Sequence, residues 1–290
     1  MPEMSILRIN GVDYEVCDAV ARQKVQVLSN DNLLTNWYFA NPVNQRGQTD
    51  YDGSGYTIDR WSNGAISVVA GEGIKATYAS SIIIQKLEPA LKAVLDGRVC
   101  TISVLCDGVM NTANFTYRAA PEAPTTIMYG ETAYANILTS GAIHLAFKSA
   151  GSIMQAAKLE LGDTQTLAHQ ENGVWVLNEI PDYGEELAKC QRYALFGRIR
   201  GVPTNRWGAA VGFAFPTPVT MRGEAGAPSI VGTFVVNCTD SPEVFLNFTV
   251  HNTLSINNDI YVYGMFNSSE DAAKATAMYF EPGNGFSMDL

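Results

Sequence analysis

The chain has 290 residues, 47% hydrophobic and 17% charged, with 19 basic and 29 acidic side chains and a formal charge of −10. That composition excludes a disordered chain, and the length favours two modules, each able to bury its own core. The acidic balance argues against a partner that presents phosphates or an anionic membrane surface, so no nucleic acid and no membrane insertion are expected.

Twelve Phe, 13 Tyr and 4 Trp, together with 25 Gly and 12 Pro, lean toward strands separated by turns. The opening MPEMSILRINGVDYEV lacks a basic start followed by an apolar core, and no apolar run of about 18 residues occurs. The expectation is a soluble protein made in a cytoplasm. The five cysteines, Cys17, Cys100, Cys106, Cys190 and Cys238, are odd in number and form no CxxC pair. Cys100 and Cys106 would share a strand face roughly 20 Å apart. Free, buried thiols follow.

In chain order, residues 1–30 read as a hairpin, Ser5–Ile9 and Val12–Val16 around the turn Asn10-Gly11, then a short apolar piece after Asp18 that needs a partner to order it. Residues 31–166 read as a β module. It opens on NLLTNWYFANPVNQRGQTDYDGSGYTIDRW, Asn32 to Trp61, taken as strand, glycine-rich loop and strand, with Trp37 and Trp61 in the core. Gly64–Val69 and Ser81–Leu87 have strand character, and Gly71-Glu-Gly73 between them marks a hairpin. Pro89 starts a short helix that Gly97 stops.

Arg98–Cys106 alternates, with Cys100, Ile102, Val104 and Cys106 on one face, and Asp107-Gly108 turns it back. Further strands are expected at Asn114–Arg118, Ile143–Lys148 and Ile153–Leu161, the last with Lys158 and Glu160 on its polar side. It should close the sandwich against the opening stretch.

Residues 167–198 read as a linker whose helix, YGEELAKCQRYALF, carries the stripe Leu187, Cys190, Ala194 and Leu195 and a Glu185–Lys189 ion pair. Residues 199–290 return to strands: Gly212–Phe215, Ile230–Cys238, Val244–Val250 and Ile260–Phe266. The fold class is mainly β: two antiparallel, jelly-roll-like sandwiches joined by a short helix.

Phosphate-loop, zinc-protease and Gly-x-Ser-x-Gly motifs are missing. His144, His169 and His251 are scattered, the first and third on polar strand faces. Carboxylates are plentiful, but nothing singles out a glycosidase pair. Asp50-Tyr51-Asp52-Gly53 resembles the start of a calcium loop without its closing glutamate, so neither metal nor other cofactor is expected. The one ligand-binding candidate is Asn205-Arg206-Trp207, an aromatic beside an amide and a guanidinium before a strand. Packing of Trp207 against the connecting helix is the first reading, and stacking on a sugar or a protein partner the second.

Several stretches resemble tail proteins of bacteriophages and prophages. INGVDYEVCDAVAR (Ile9–Arg22) is similar to their N-terminal segment, and Asn32–Trp61 to the opening of their carbohydrate-binding-like jelly roll. QAAKLELG (Gln155–Gly162) resembles the closing strand of that module and YGEELAKCQRY (Tyr183–Tyr193) the helix after it. FPTPVTMRGEAGAPSIVG (Phe215–Gly232) is similar to a proline-flanked strand of tail-fibre head domains, with an insertion before Pro228 that departs from the usual spacing.

The resemblance implies a homotrimeric receptor-binding protein of a virion tail. Its N-terminal segment would attach to other tail or baseplate proteins, and its β modules would reach bacterial surface polysaccharide without cleaving it. A glycan-depolymerising spike and a purely structural tail piece are the alternatives. The family's receptor contacts are not fixed by a motif, so no site residue transfers.

Overall fold

The computed structural model describes residues 6–9, 12–15, 29–196, 200–218, 229–231, 234–238, 248–256, 259–266, 272, 275–280 and 285–287. Within them the protein is mainly β, with antiparallel sheets and two separate hydrophobic cores. β1 (Ile6–Ile9) and β2 (Val12–Glu15) pair as the expected hairpin. Its turn, the piece after Asp18, Cys17 and residues 244–247 lie outside the described residues.

The first core lies between two sheets. One holds six strands in the order β3 (Asp50–Asp52), β4 (Ala65–Val69), β5 (Gly73–Ala76), β12 (Ile153–Leu161), β7 (Val99–Cys106) and β8 (Val109–Thr116). The other runs β6 (Ile82–Gln85), β11 (Ile143–Phe147), β10 (Ala133–Ile137) and β9 (Thr125–Tyr129). β9 and β10 were not foreseen, because Thr-Thr-Ile-Met-Tyr does not alternate and Ala-Tyr-Ala-Asn-Ile alternates only alanine with Tyr and Asn, a faint period-2 signal. Asp107 and Gly108 both take positive φ (52° and 70°), as a tight two-residue hairpin requires. Helix α1 (Pro89–Leu95) starts on its proline and buries Leu95.

The opening stretch differs from the strand-loop-strand expectation. Leu33–Phe39 lies beside β12 through Leu33 N–H to Leu159 O (2.8 Å), Phe39 N–H to Gln155 O (2.8 Å) and Ala157 N–H to Trp37 O (3.1 Å), with only Tyr38 in a formal bridge. The Tyr56–Trp61 run is a turn, closed by Trp61 N–H to Ile58 O and by Thr57 N–H to Trp61 O. Both stay irregular because Asn36 (φ 56°) and Arg60 (φ 71°) hold left-handed backbone that no strand accommodates. Trp37 and Trp61 are buried, and Phe39 meets Trp61 edge-on at 5.3 Å.

Asn36 fixes this geometry. Its Nδ2 donates to Val43 O (2.9 Å) and Asp59 O (2.7 Å), its Oδ1 accepts from Val43 N–H (2.7 Å), and its carbonyl accepts from Trp61 Nε1 (2.9 Å). Its backbone N–H donates to Glu186 Oε2 at 2.7 Å.

That last bond corrects the linker reading. Residues 167–198 hold a second unforeseen hairpin, β13 (Ala168–Glu171) and β14 (Val174–Leu177), and helix α2 (Tyr183–Gln191), capped by Asp182 on Glu185 N–H. α2 buries Glu186 and Cys190, and Lys189 pairs with Glu186 (2.5 Å) rather than Glu185. Beyond it, the Tyr193 ring lies 3.5 Å from the Arg60 guanidinium carbon, Tyr193 bonds Glu88, and Gln45 Nε2 donates to Ala194 O (3.0 Å). The segment is a docked strap, and Ala194 and Leu195 belong to a strand.

The polar side of β12 is also covered. Lys158 and Glu160 are fully buried, while Leu161 is 44% exposed. Lys158 Nζ meets Ser29 Oγ (2.5 Å) and Glu179 Oε1 (3.2 Å); Glu160 accepts from Asn30 Nδ2 (3.1 Å) and Thr166 N–H (2.8 Å). Chain entry at Ser29 and chain exit near Thr166 therefore meet at one place.

In the second core β15 (Ala194–Phe196), β23 (Gly285–Ser287) and β18 (Ser229–Val231) form a three-stranded sheet. Facing residues come from a six-stranded sheet ordered β19 (Phe234–Cys238), β22 (Ala275–Phe280), β16 (Arg200–Trp207), β17 (Ala210–Pro216), β21 (Asp259–Phe266) and β20 (Phe248–Ile256). The single strand expected over Ile230–Cys238 is two, β18 and β19. Phe215, Phe280 and Phe286 pack mutually at 4.7–5.7 Å.

Asn36→Ala leaves buried backbone groups of Val43 and Asp59 unpaired and places a Cβ-only residue in left-handed backbone. It should lower unfolding free energy by at least about 3 kcal/mol. Asn36→Gly should recover about 1 kcal/mol of that in denaturant titrations, since only the backbone strain is relieved. A loss within about 0.5 kcal/mol would contradict the role of Asn36.

Candidate functional site

The predicted trio sits on β16, and a bulge decides where each side chain points. Pro203 pairs with Phe213 but Asn205 pairs with Gly212, so Thr204 is the extra residue. The bulge inverts the parity of the strand. Val202 faces outward before it, and Asn205 and Trp207 face outward after it, opposite Gly212 and Ala210. Arg206 pairs with the buried Val211 and turns to the other side, where its guanidinium donates to Ala275 O at 2.5 Å.

The structure thus keeps Asn205 and Trp207 together and removes Arg206 from their surface. Trp207 is 62% exposed.

Neighbouring strands extend this surface. Ala210 pairs with Met265 and Gly212 with Tyr263, so the alternation Tyr261, Tyr263, Met265 shares the outward face. The two tyrosine rings stack at 6.3 Å with planes 16° apart. A Cβ on Gly212 would stand 2.8 Å from a Tyr263 ring carbon and 3.3 Å from Thr204 Oγ1, so only glycine lets that ring lie across the sheet. Val202 (51%) and Met265 (46%) are exposed beside them. Sequence reasoning missed these residues. The alternation from Tyr261 to Met265 was the available signal, and the register joining it to Trp207 was not.

This surface offers apolar ring faces and an amide, the groups for non-covalent binding of a ligand with both C–H and O–H surface. The buried carboxylates are held by structural donors. Asp59 accepts from Gln45 N–H (2.7 Å) and Gln45 Nε2 (3.0 Å), and Glu160 and Glu186 are bonded as described above.

In the loop that resembles the start of a calcium site, Asp50 accepts from Ser67 and Thr49 hydroxyls and Asp52 from Ser54 N–H and Oγ. Those bonds, Ser67 first for Asp50 and Ser54 for Asp52, hold both carboxyls below the ordinary range. Among the described residues no group of three or more His, Cys, Asp or Glu is placed to hold a metal ion. Cys100, Cys106 and Cys190 are free and buried, and burial pushes the first two to about 11 and about 12, leaving thiols at neutral pH.

Two of the histidines are held by hydrogen bonds. His144 is buried, with Asn136 Nδ2 2.8 Å from its Nδ1. His169 lies on β13 between Glu171 (Nε2 to Oε1, 2.8 Å) and Asn178 (2.5 Å). The side chain of His251 lies outside the described residues. Comparison with known protein families, curated proteins and solved structures finds no match.

Burial lowers the His144 pKa, whereas Glu171 and then Asn178 raise that of His169. The folded protein thus binds the His144 proton less readily than the unfolded chain. Stability contributed at that site should fall as pH drops through the ordinary histidine range, and level off below the folded-state value. His169 has the opposite sign: its contribution is present at low pH and fades as pH rises. Imidazole NMR titration should place the His144 midpoint below and the His169 midpoint above that of an unfolded peptide; coincident midpoints would contradict the burial of His144.

Proposed function

We propose that this protein is a non-catalytic adhesin of a phage or phage-like tail that binds bacterial surface polysaccharide. The observation that carries the reading is the exposed Trp207 beside Asn205 on a sheet face continued by Tyr261, Tyr263 and Met265. A sugar ring presents an apolar C–H face and a rim of hydroxyls. An exposed indole and a neighbouring amide match those two surfaces. The carboxylates described above serve as acceptors for the chain's own donors, which favours binding over hydrolysis.

The resemblance of Asn32–Trp61, Gln155–Gly162 and Tyr183–Tyr193 to tail proteins adds the setting. It supports a homotrimer whose N-terminal segment joins other tail proteins.

Retention of the purified full chain on host cells should drop about tenfold in Trp207→Ala, the scale of one lost stacking contact. Retention should also fall on cells stripped of surface polysaccharide. Light scattering should give three times the chain mass, and a reducing-end assay on host polysaccharide should stay at background. Undiminished binding to stripped cells would sink the glycan reading, a monomer the trimer, and released reducing ends the non-catalytic role.

A further inference from the structure

The first sandwich has two outward faces of different chemistry. On the six-stranded sheet the outer residues bond one another: Thr101 with Asn114 (2.9 Å) and Ser103 with Thr112 (3.0 Å), beside the buried Lys158 and Glu160. That face is internally satisfied.

The four-stranded sheet is not. Ala133, Ala135 and Ile137 of β10 point into the core, so Tyr134 and Asn136 point out. Register places Tyr129 beside Tyr134 on one flank, and His144 beside Asn136 with Ile84 beyond on the other. The rings are spaced evenly: Tyr129 to Tyr134 is 6.1 Å and Tyr134 to His144 is 6.1 Å, the second pair edge-on at 75°. Tyr129 remains 75% exposed even though Lys148 Nζ stands 3.6 Å from its ring centroid.

Among these groups one is unsatisfied. Asn136 Oδ1 is buried with no hydrogen-bond partner, while its Nδ2 stands 2.8 Å from His144 Nδ1. An unpaired buried amide oxygen is costly, and native chains retain few of them.

We propose that this face is a second, independent glycan site, which takes one pyranose unit with its C–H face on Tyr129 and Tyr134 and its hydroxyls on Asn136 and His144. The ligand class follows from the groups present. Two fixed aromatic rings call for an apolar surface, an orphan acceptor beside an imidazole N–H calls for hydroxyls that both donate and accept, and neither asks for charge. The Lys148 ammonium lies over the Tyr129 ring, 3.6 Å from its centroid. Because the His144–Asn136 pair is already joined by a hydrogen bond, little freedom of those two side chains is lost on binding.

The inference rests on the glycan-adhesion reading for the source of the sugar, and the test separates the two. Full-length protein, Tyr129→Ala, Tyr134→Ala and Trp207→Ala would be titrated with the methyl pyranosides of glucose, galactose, mannose, rhamnose and N-acetylglucosamine, observing aromatic resonances by NMR. They would then be run in affinity gels containing host polysaccharide. The expected result is a shift at Tyr129 and Tyr134 with at least one pyranoside. It should be lost in either tyrosine variant and retained in Trp207→Ala, with about a tenfold weaker gel retardation for the tyrosine variants.

Shifts confined to Trp207 and untouched by Tyr129→Ala would overturn the second site and leave the adhesion reading standing. Neither shifts nor retardation anywhere would overturn both. Circular dichroism of Tyr129→Ala guards against misfolding, and Tyr129→Phe, which keeps the ring, should retain binding.

Discussion

A single asparagine sets the geometry on which the first sandwich depends. Asn36 stands in left-handed backbone, a conformation disfavoured for any residue with a Cβ, and it is held there by side-chain bonds to Val43 and Asp59. Because its backbone N–H and carbonyl are directed at Glu186 and the Trp61 indole, one residue joins the opening stretch, the tryptophan core and helix α2. Every one of these groups is buried, so the arrangement is all or none. Losing the side chain strands donors and acceptors where water cannot replace them.

The same logic explains why the strap between the two cores is docked. Glu186 on α2, Asp59 in the turn, Gln45 in the loop and Arg60 against Tyr193 are polar or charged groups at a covered surface. Glu186 takes the Asn36 N–H and Gln45 gives its Nε2 to Ala194 O across that contact, Asp59 is bonded by Gln45 within the loop, and Arg60 donates to Lys86 O while its Nε stays buried and unpaired. Lys158 and Glu160 repeat the pattern on the other side, closed by Ser29, Asn30, Thr166 and Glu179. Polar groups that would be unremarkable on an open strand become fixed points of assembly once another segment lies over them.

Where side chains face outward, register decides the chemistry. The bulge at Thr204 brings Trp207 and Asn205 onto the side of Tyr263 and sends Arg206 to the other. The bulge in β12 between Met154 and Ala156 likewise separates Ile153 from the alternation of the later residues. A one-residue change in either place would exchange the inner and outer faces, so these irregularities define the surfaces as much as the residues they display.

Much of this was legible in the sequence. The β-branched run at Ile82–Ile84, the turns at Gly71–Gly73 and Asp107-Gly108, Pro89 at a helix start and the alternation of Val99–Cys106 are local signals, and the elements they announce are present. The exposed aromatic at Trp207 was also within reach, since turn formers surround it. Of the strands the local pattern did not announce, β9, β10 and β13 mix polar with apolar residues, while β14, Val174–Leu177, is apolar but only four residues long, and pairing with a neighbour makes each of them a strand. The sequence by itself determined which segments can be strands and which residues need burial, because backbone preference and hydrophobicity act over a few neighbours. Only the tertiary structure decided that Asn36 is a hub, that Glu186 is buried, that Arg206 leaves Trp207, and that Tyr129, Tyr134 and His144 form one row. Each of those facts depends on a contact or register between segments far apart in the chain, and no local pattern encodes it.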